Sequence, residues 1–219
     1  MHFCIVKAQE MVTMNKIKDD HIKMARPDYP IMPLIAGRWS PRAFDGRPVE
    51  NEKLQRIFEA ARWAPSSSNE QPWRFIVGFK GDEVYDKIFS TLVEFNRLWA
   101  GTAPVLFLAI AKTSSGKNPE KMNKAATYDL GQAMAYLTLQ AMNEGLYVHQ
   151  MGGFDVEMAG ELFDLPVDYK VVTANTIGYI GNPDMLHPNL KVMENSPRER
   201  KPLSAFVFGQ SLGQPASFL

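Results

Sequence analysis

Between positions 50 and 62 the apolar residues Leu54, Ile57, Phe58 and Ala61 recur at i, i+3, i+4 and i+7, one face of a helix that Pro65 stops. The run from Trp73 to Phe79 is short, aromatic and branched, and lies between a proline and Gly81, so it reads as a strand. Asp82 offers an N-cap for a helix whose buried stripe is Val84, Tyr85, Ile88, Phe89, Leu92 and Phe95. Residues 104–111, PVLFLAIA, are apolar on both faces and belong in the middle of a sheet. From 124 to 146 the helical pattern has almost no polar side: Tyr128, Leu130, Met134, Tyr136, Leu137 and Leu139 fit no single stripe. Such a helix needs burial on more than one side, as a core helix or against a second subunit, with Gly145 as its stop.

A short strand from Tyr147 runs into Gly152-Gly153, Asp155 caps a short helix over 155–164, and 170–183 reads as a third long strand ending in turn residues. Near the end, LSAFVF at 203–208 is too short for a core of its own and must pair with a sheet edge, in its own subunit or a neighbour's. With no low-complexity linker in 219 residues, the chain reads as one domain over 33–219, preceded at 1–32 by an N-terminal extension and first helical segment.

A formal net charge of zero gives no global field to attract a polyanion, so nucleic acid is not an expected partner, although a local basic cluster can still hold a small anion. Cys4 is the only cysteine, which excludes an internal disulfide, and the four histidines are too scattered for a zinc motif, so no metal is expected. No apolar run approaches the ~20 residues of a membrane span, and Lys7, Glu10, Lys16 and Lys18 interrupt the N-terminal stretch; a cytoplasmic protein without membrane partners is expected. No G-x-G-x-x-G follows a strand, and neither G-x-x-x-x-G-K-[ST] nor G-x-S-x-G occurs, so the usual dinucleotide, triphosphate and serine-hydrolase readings lose their main support.

Four groups of residues carry possible chemistry. In GRWSPRAF, Arg38, Ser40 and Arg42 alternate, so an extended backbone would aim two guanidiniums and a hydroxyl at one anion; a solvated turn is the plain alternative. In APSSSNEQPW, Ser66, Ser67, Ser68, Asn69 and Gln71 crowd a helix-to-strand joint that one capping residue would satisfy, and together they suit the edge of a flat heterocycle. In QMGGF, Gly152 and Gly153 let a ligand approach backbone amides, or simply make a tight turn. Arg198, Arg200 and Lys201 repeat the spaced cations of the first group, or form a solvated face. No nucleophile or acid–base pair stands out, a pattern that suits a protein whose cofactor does the chemistry.

In their order and spacing, RWSPRAF, ARWAPSSSNEQPWRFIVG, APVLFLAIA, GGFD, GYIG and PRERKPLSAFVF resemble the nitroreductase-like flavoproteins over residues 33 to 208. The resemblance implies an α+β fold with a mainly antiparallel central sheet flanked by helices, and a homodimer that exchanges its C-terminal strand and binds FMN at the interface. It assigns Arg38, Ser40 and Arg42, with Trp39 in the same stretch, to the FMN phosphate, ribityl and pyrimidine side. Pro65, Ser66, Ser67, Asn69 and Gln71 fall to the isoalloxazine and ribityl loop, partly across the dimer. Met151, Gly152 and Gly153 fall to the flavin N5 edge, and Arg198 and Arg200 to the phosphate. The implied activity is ping-pong transfer of hydride from NADH or NADPH through flavin N5 to an electron-poor acceptor such as a nitroaromatic or quinone, with no catalytic side chain. Reductive dehalogenation or substrate dehydrogenation on the same fold, and a non-catalytic flavin-binding protein, are the alternatives. The Gln150-Met151-Gly152-Gly153 run departs from the best-known branch, so substrate preference does not carry over. FNRLWAGTAP and TSSGKNPEKMN are candidate lid segments, and Trp73, Trp99 and Phe154 candidates for the substrate border.

Overall fold

A computed structural model describes residues 21–219; the stretch before His21, with Cys4 and His2, lies outside the described residues. Residues 21–32 hold turns and bends, the part of the expected first helical segment before His21 lies outside the described residues, and the first described helix is α1 (Pro33–Gly37). There follow α2 (Asn51–Arg62), β1 (Trp73–Phe79), α3 (Glu83–Thr91), α4 (Glu94–Ala100), β2 (Val105–Lys112), α5 (Ala126–Asn143), β3 (Tyr147–Met151), α6 (Val156–Leu162), β4 (Tyr169–Gly178) and α7 (Pro188–Glu194).

The strands form one antiparallel sheet in the order β1-β2-β4-β3. β2 is central and buried from Val105 to Ala111, as its two-sided apolarity requires. On one face α2 and α5 bury Leu54, Ile57, Ala61, Leu130 and Leu137 against Phe107, Val148 and Ile177. On the other, Tyr85 and Ile88 of α3, Trp99 of α4, Ala159 of α6 and Leu190 of α7 cover Leu106, Leu108, Ile110 and Met151. The result is a helix–sheet–helix sandwich of the α+β class.

The caps are those the sequence offers. Asp82 accepts the Tyr85 N–H and Asp155 accepts the Met158 N–H. Gly145, at φ +75°, ends α5. The helix after Asp82, however, stops at Thr91, short of the expected Phe95. Leu92 forms a β-bridge with Phe154, the Asp155 N–H donates to the Thr91 carbonyl at 2.8 Å, and the Val93 N–H donates to Gly153 at 3.1 Å. This tertiary pairing overrides the helical period, and Phe95 falls on the exposed side of α4. Leu203–Phe208 is also not a strand of its own sheet: it makes a 3₁₀ turn over Leu203–Ala205, and Phe208 bridges to Pro215.

Two contacts position the segment that carries Arg38, Ser40 and Arg42. His149 of β3 lies with Nδ1 2.8 Å from the Pro41 carbonyl. A carbonyl only accepts, so Nδ1 carries the proton. Burial, opposed by that bond and reinforced by Arg42 and Arg38, pushes the His149 pKa from 6.5 down to about 4. Glu194, at the end of α7 and 2% exposed, accepts the backbone N–H groups of Arg42 (2.7 Å) and Ala43 (2.9 Å) through Oε1.

Two tests follow. Because the unfolded chain protonates His149 near 6.5 and the folded chain only near 4, its contribution is complete above pH 6.5 and lost as the pH falls toward 4. Denaturant unfolding should show a loss of about 2 kcal/mol between pH 7.5 and 5 that His149→Gln largely removes; parallel pH profiles would exclude the assignment. At Gly78 an added Cβ would sit 2.3 Å from the Tyr85 nitrogen, so Gly78→Ala should lift α3 off β1. Its cost in the same assay should be roughly 1–3 kcal/mol.

Candidate functional site

The strongest electrostatic feature of this neutral chain is local. Lys23 and Arg42 neighbour one carboxylate, Glu194, and through Lys23 the cluster of cations runs on to Arg198, Arg38 and Arg200. Burial holds the Arg38 pKa below its ordinary value, and Arg200 depresses it further. Arg198 is lowered by burial and then by Arg38 and Arg200. Lys23 and Arg42 are also lowered by burial, against the pull of Glu194. Glu194 spends one oxygen on backbone amides, and its other oxygen and the Arg42 Nε are buried without a hydrogen-bond partner among the described residues. Cations that burial and one another disfavour make a candidate site for an anion.

The parts do not all converge as the alternation of Arg38, Ser40 and Arg42 predicts. The Arg38 Nη1 donates to Ser40 Oγ at 3.2 Å, so this pair shares a direction. Arg42 instead lies 5.9 Å from the Trp99 ring, beneath the segment. The Trp39 ring is not a ligand face: it is 6% exposed, packed by His21 and Tyr147 and covered by Lys23 Nζ at 5.2 Å. Arg198 is not a free phosphate ligand either. Its three nitrogens donate to the carbonyls of Lys23, Ala36 and Arg38, two of them at the end of α1, where helix carbonyls lack partners. Arg200 is exposed and, among the described residues, bonded only to the Glu199 carbonyl, so it remains available. Arg38, Arg200 and Lys201 line a cavity of ≈ 860 Å³ together with Tyr29 and Phe206.

The loop from Pro65 to Gln71 is strained. Ser68 (φ 52°), Asn69 (φ 56°) and Gln71 (φ 48°) are left-handed, and Asp164 is the only other non-glycine residue with positive φ among the described residues. Ser66 Oγ is consumed internally by the Gln71 N–H at 3.0 Å. The Ser67 N–H donates to Oδ2 of Asp129, a carboxylate only 2% exposed on α5, and Gln132 reaches the Pro65 carbonyl. Ser67, Ser68, Asn69 and Gln71 are left exposed. Strain of this kind, over-determined by hydrogen bonds, makes the loop a candidate binding element.

At the end of β3, Met151 is buried in the core, and the two glycines differ. A Cβ at Gly153 would meet Asn96 Nδ2 at 2.8 Å, and Asn96 itself donates to the Gly153 carbonyl, so this glycine is needed for packing. Gly152 faces open space and is exposed. Among the described residues, no protein acceptor takes the amide of either. Trp73, Trp99 and Phe154 are core residues.

One chain separates these parts. The serine loop enters edge strand β1 and is tied to α5, whereas the glycine pair leaves the opposite edge strand β3 beside α4. Three inter-strand spacings, roughly 14 Å, lie between the two edges. Sequence reasoning missed Glu194, His149, Asp129 and Glu70. Asp129 alone gave a signal, as an acid in an otherwise apolar helix.

The Nitroreductase family profile matches residues 35–179. A solved structure of an oxidoreductase containing FMN is 36% identical and superimposes with a TM-score of 0.82 over 86% of this chain and 96% of that one. An uncharacterized 15.4 kDa protein of Mycolicibacterium smegmatis is 31% identical over 65% of this chain and 99% of its own length. A protein of Archaeoglobus fulgidus whose name proposes NADH dehydrogenase or NAD(P)H nitroreductase activity is 29% identical over 67% of this chain and 83% of its own. With more than half its length matched, and with this antiparallel sandwich, the chain belongs to the nitroreductase family.

Proposed function

We propose that the chain is an FMN-dependent oxidoreductase that acts as a homodimer, drawing electrons from NADH or NADPH and delivering them to small electron-poor acceptors such as nitroaromatics or quinones. The observation that carries this reading is the partly buried cation cluster, which has one carboxylate for five cations and opens through Arg38 and Arg200 into a cavity of ≈ 860 Å³. A phosphate monoester brings close to two negative charges and three acceptor oxygens to such a place. The chain therefore fits the cofactor: Arg38, Ser40 and Arg200 suit the phosphate, and the open Gly152 amide suits a ring oxygen or nitrogen.

When bound, FMN supplies the two-electron exchange between the nucleotide and the acceptor. The protein binds, orients and holds charge. His149 stays neutral at physiological pH and commits its Nδ1 proton to Pro41, so it neither cancels the phosphate charge nor serves as an acid from that nitrogen. Ser67, Asn69 and Gln71 offer exposed donors and acceptors to the cofactor of a second copy, because their own glycine pair leaves the opposite edge of the sheet. α5 supports that pairing. Its solvent face carries Tyr128, Gly131, Ala135 and Tyr136 at helical spacing, and nothing lies within 4 Å of a Cβ built on Gly131.

The experiment is anaerobic stopped-flow on protein loaded with FMN. NADH or NADPH should bleach the flavin, and a nitroaromatic or quinone should restore its colour; no bleaching by either nucleotide would sink the oxidoreductase reading. Arg38→Gln should raise the FMN dissociation constant roughly 10- to 100-fold, the range for one charge-assisted bond, measured by quenching of flavin fluorescence. Gly131→Arg should shift the protein to monomer in sedimentation velocity and lower FMN occupancy with it. A dimer that persists, or a monomer that keeps its FMN, would remove the composite site.

A further inference from the structure

We propose that Glu70 is a positioning residue: its carboxylate latches the 113–123 segment onto the Ser66–Gln71 loop and keeps that loop's left-handed backbone in the shape that receives the cofactor. The inference rests on the FMN reading above and adds to it a residue and a coupled segment.

The 113–123 segment closes on itself. Ser114 bridges to Met122, the Ser115 N–H donates to the Lys121 carbonyl at 2.8 Å, and the Asn123 N–H donates to Thr113 at 2.7 Å. Its base is fixed at one residue, Asp168. The Thr113 N–H and Oγ donate to the Asp168 carbonyl, and Ser114 Oγ donates to Oδ2. Its tip meets the serine loop through three bonds. Ser115 Oγ donates to Glu70 Oε1 at 2.7 Å, the Gly116 N–H donates to Oε2 at 2.6 Å, and Lys117 Nζ donates to the Ser68 carbonyl at 3.1 Å. A Cβ at Gly116 would sit 3.1 Å from Glu70 Oε2, so a glycine permits the close approach. The Ser115 and Gly116 bonds hold the Glu70 carboxyl below its usual range, so the latch favours the charged carboxylate.

Glu70 sits between left-handed Asn69 and left-handed Gln71. The loop is thus gripped from two sides, by buried Asp129 from α5 and, through its own Glu70, by Ser115 and Gly116 of the 113–123 segment. Both Glu70 oxygens are occupied away from the exposed side chains of Asn69 and Gln71, so its effect on a ligand passes through the backbone it holds.

The test uses the full chain with FMN and compares Glu70→Ala, Glu70→Gln and wild type. The readouts are the rate of flavin fluorescence recovery on dilution and hydrogen exchange over 66–71 and 114–118. Glu70→Ala should release FMN at least about tenfold faster, the scale of one charge-assisted bond, and should speed exchange in both segments. The thermal midpoint of the FMN-free protein should stay within about 2 °C, since no core contact is lost. Glu70→Gln keeps an acceptor for Gly116 and a donor for Ser115, and should return both readouts to within about threefold of wild type. Wild-type FMN release with unchanged exchange at 66–71 in Glu70→Ala would overturn the latch. So would a glutamine variant no better than alanine. If wild type takes up no FMN, the flavin reading fails, and the exchange measurement alone decides whether the 113–123 segment and the loop are coupled. Should Glu70→Ala not fold, Ser115→Ala removes one of the two bonds and is judged by the same two readouts.

Discussion

The antiparallel sheet sets the terms for everything else. With the order β1-β2-β4-β3, a loop that feeds β1 and a turn that leaves β3 stand at opposite edges, and the helices that steady them, α5 and α4, lie on opposite faces. No rearrangement short of breaking the β2–β4 ladder brings the two together within one chain. A second copy, set with its serine loop beside this chain's glycine pair, would unite the two in one site. The proposed homodimer is the arrangement that lets each chain serve as half of two sites.

The electrostatics follow from the same geometry. The Arg38–Arg42 segment is laid across the β3 edge by His149 and by the backbone bonds to Glu194, which brings its cations to those of the C-terminal stretch. Gathering them costs stability, because Lys23, Arg38, Arg42 and Arg198 are partly desolvated and neighbouring cations repel one another. The fold limits that cost without cancelling it. Arg198 is taken up by three carbonyls, and Glu194 lies close to Lys23 and Arg42 while its hydrogen bonds go to backbone. What remains uncompensated, chiefly Arg38 and Arg200, is charge that an incoming anion would satisfy.

The sandwich was legible because periodicity and burial agree along most of the chain. α2, β1, β2, β3 and the Asp82 and Asp155 caps lie where their side-chain patterns put them. The reading failed where a distant strand intervened. The period from Val84 to Phe95 is unbroken, but Leu92 is claimed by Phe154, a pairing no local window contains. At the site, residue types were legible and directions were not. Trp39 and Arg198 sit in ligand-like sequence, yet one fills the core and the other ties down α1, while Ser40 and Arg38 do share a direction. Glu194 and His149 act through two backbone contacts and one, each across more than a hundred residues, and nothing in the sequence marks them.

The serine loop shows why a chain would keep strain it could relieve. Glycine at Ser68, Asn69 or Gln71 would remove the left-handed penalty, of order 1–3 kcal/mol at each strained position, and would leave the backbone path unchanged. It would also remove the side chain. These three residues are exposed and at most lightly engaged by the chain itself: Gln71 makes one 3.3 Å bond to the Asn69 carbonyl, and no bond involves the side chain of Ser68 or Asn69 among the described residues. The tethers all hold backbone or Glu70: Ser66 Oγ, Asp129, Ser115, Gly116 and Lys117. A loop whose backbone is fixed by its neighbours and whose side chains are left free has been built for what those side chains will touch.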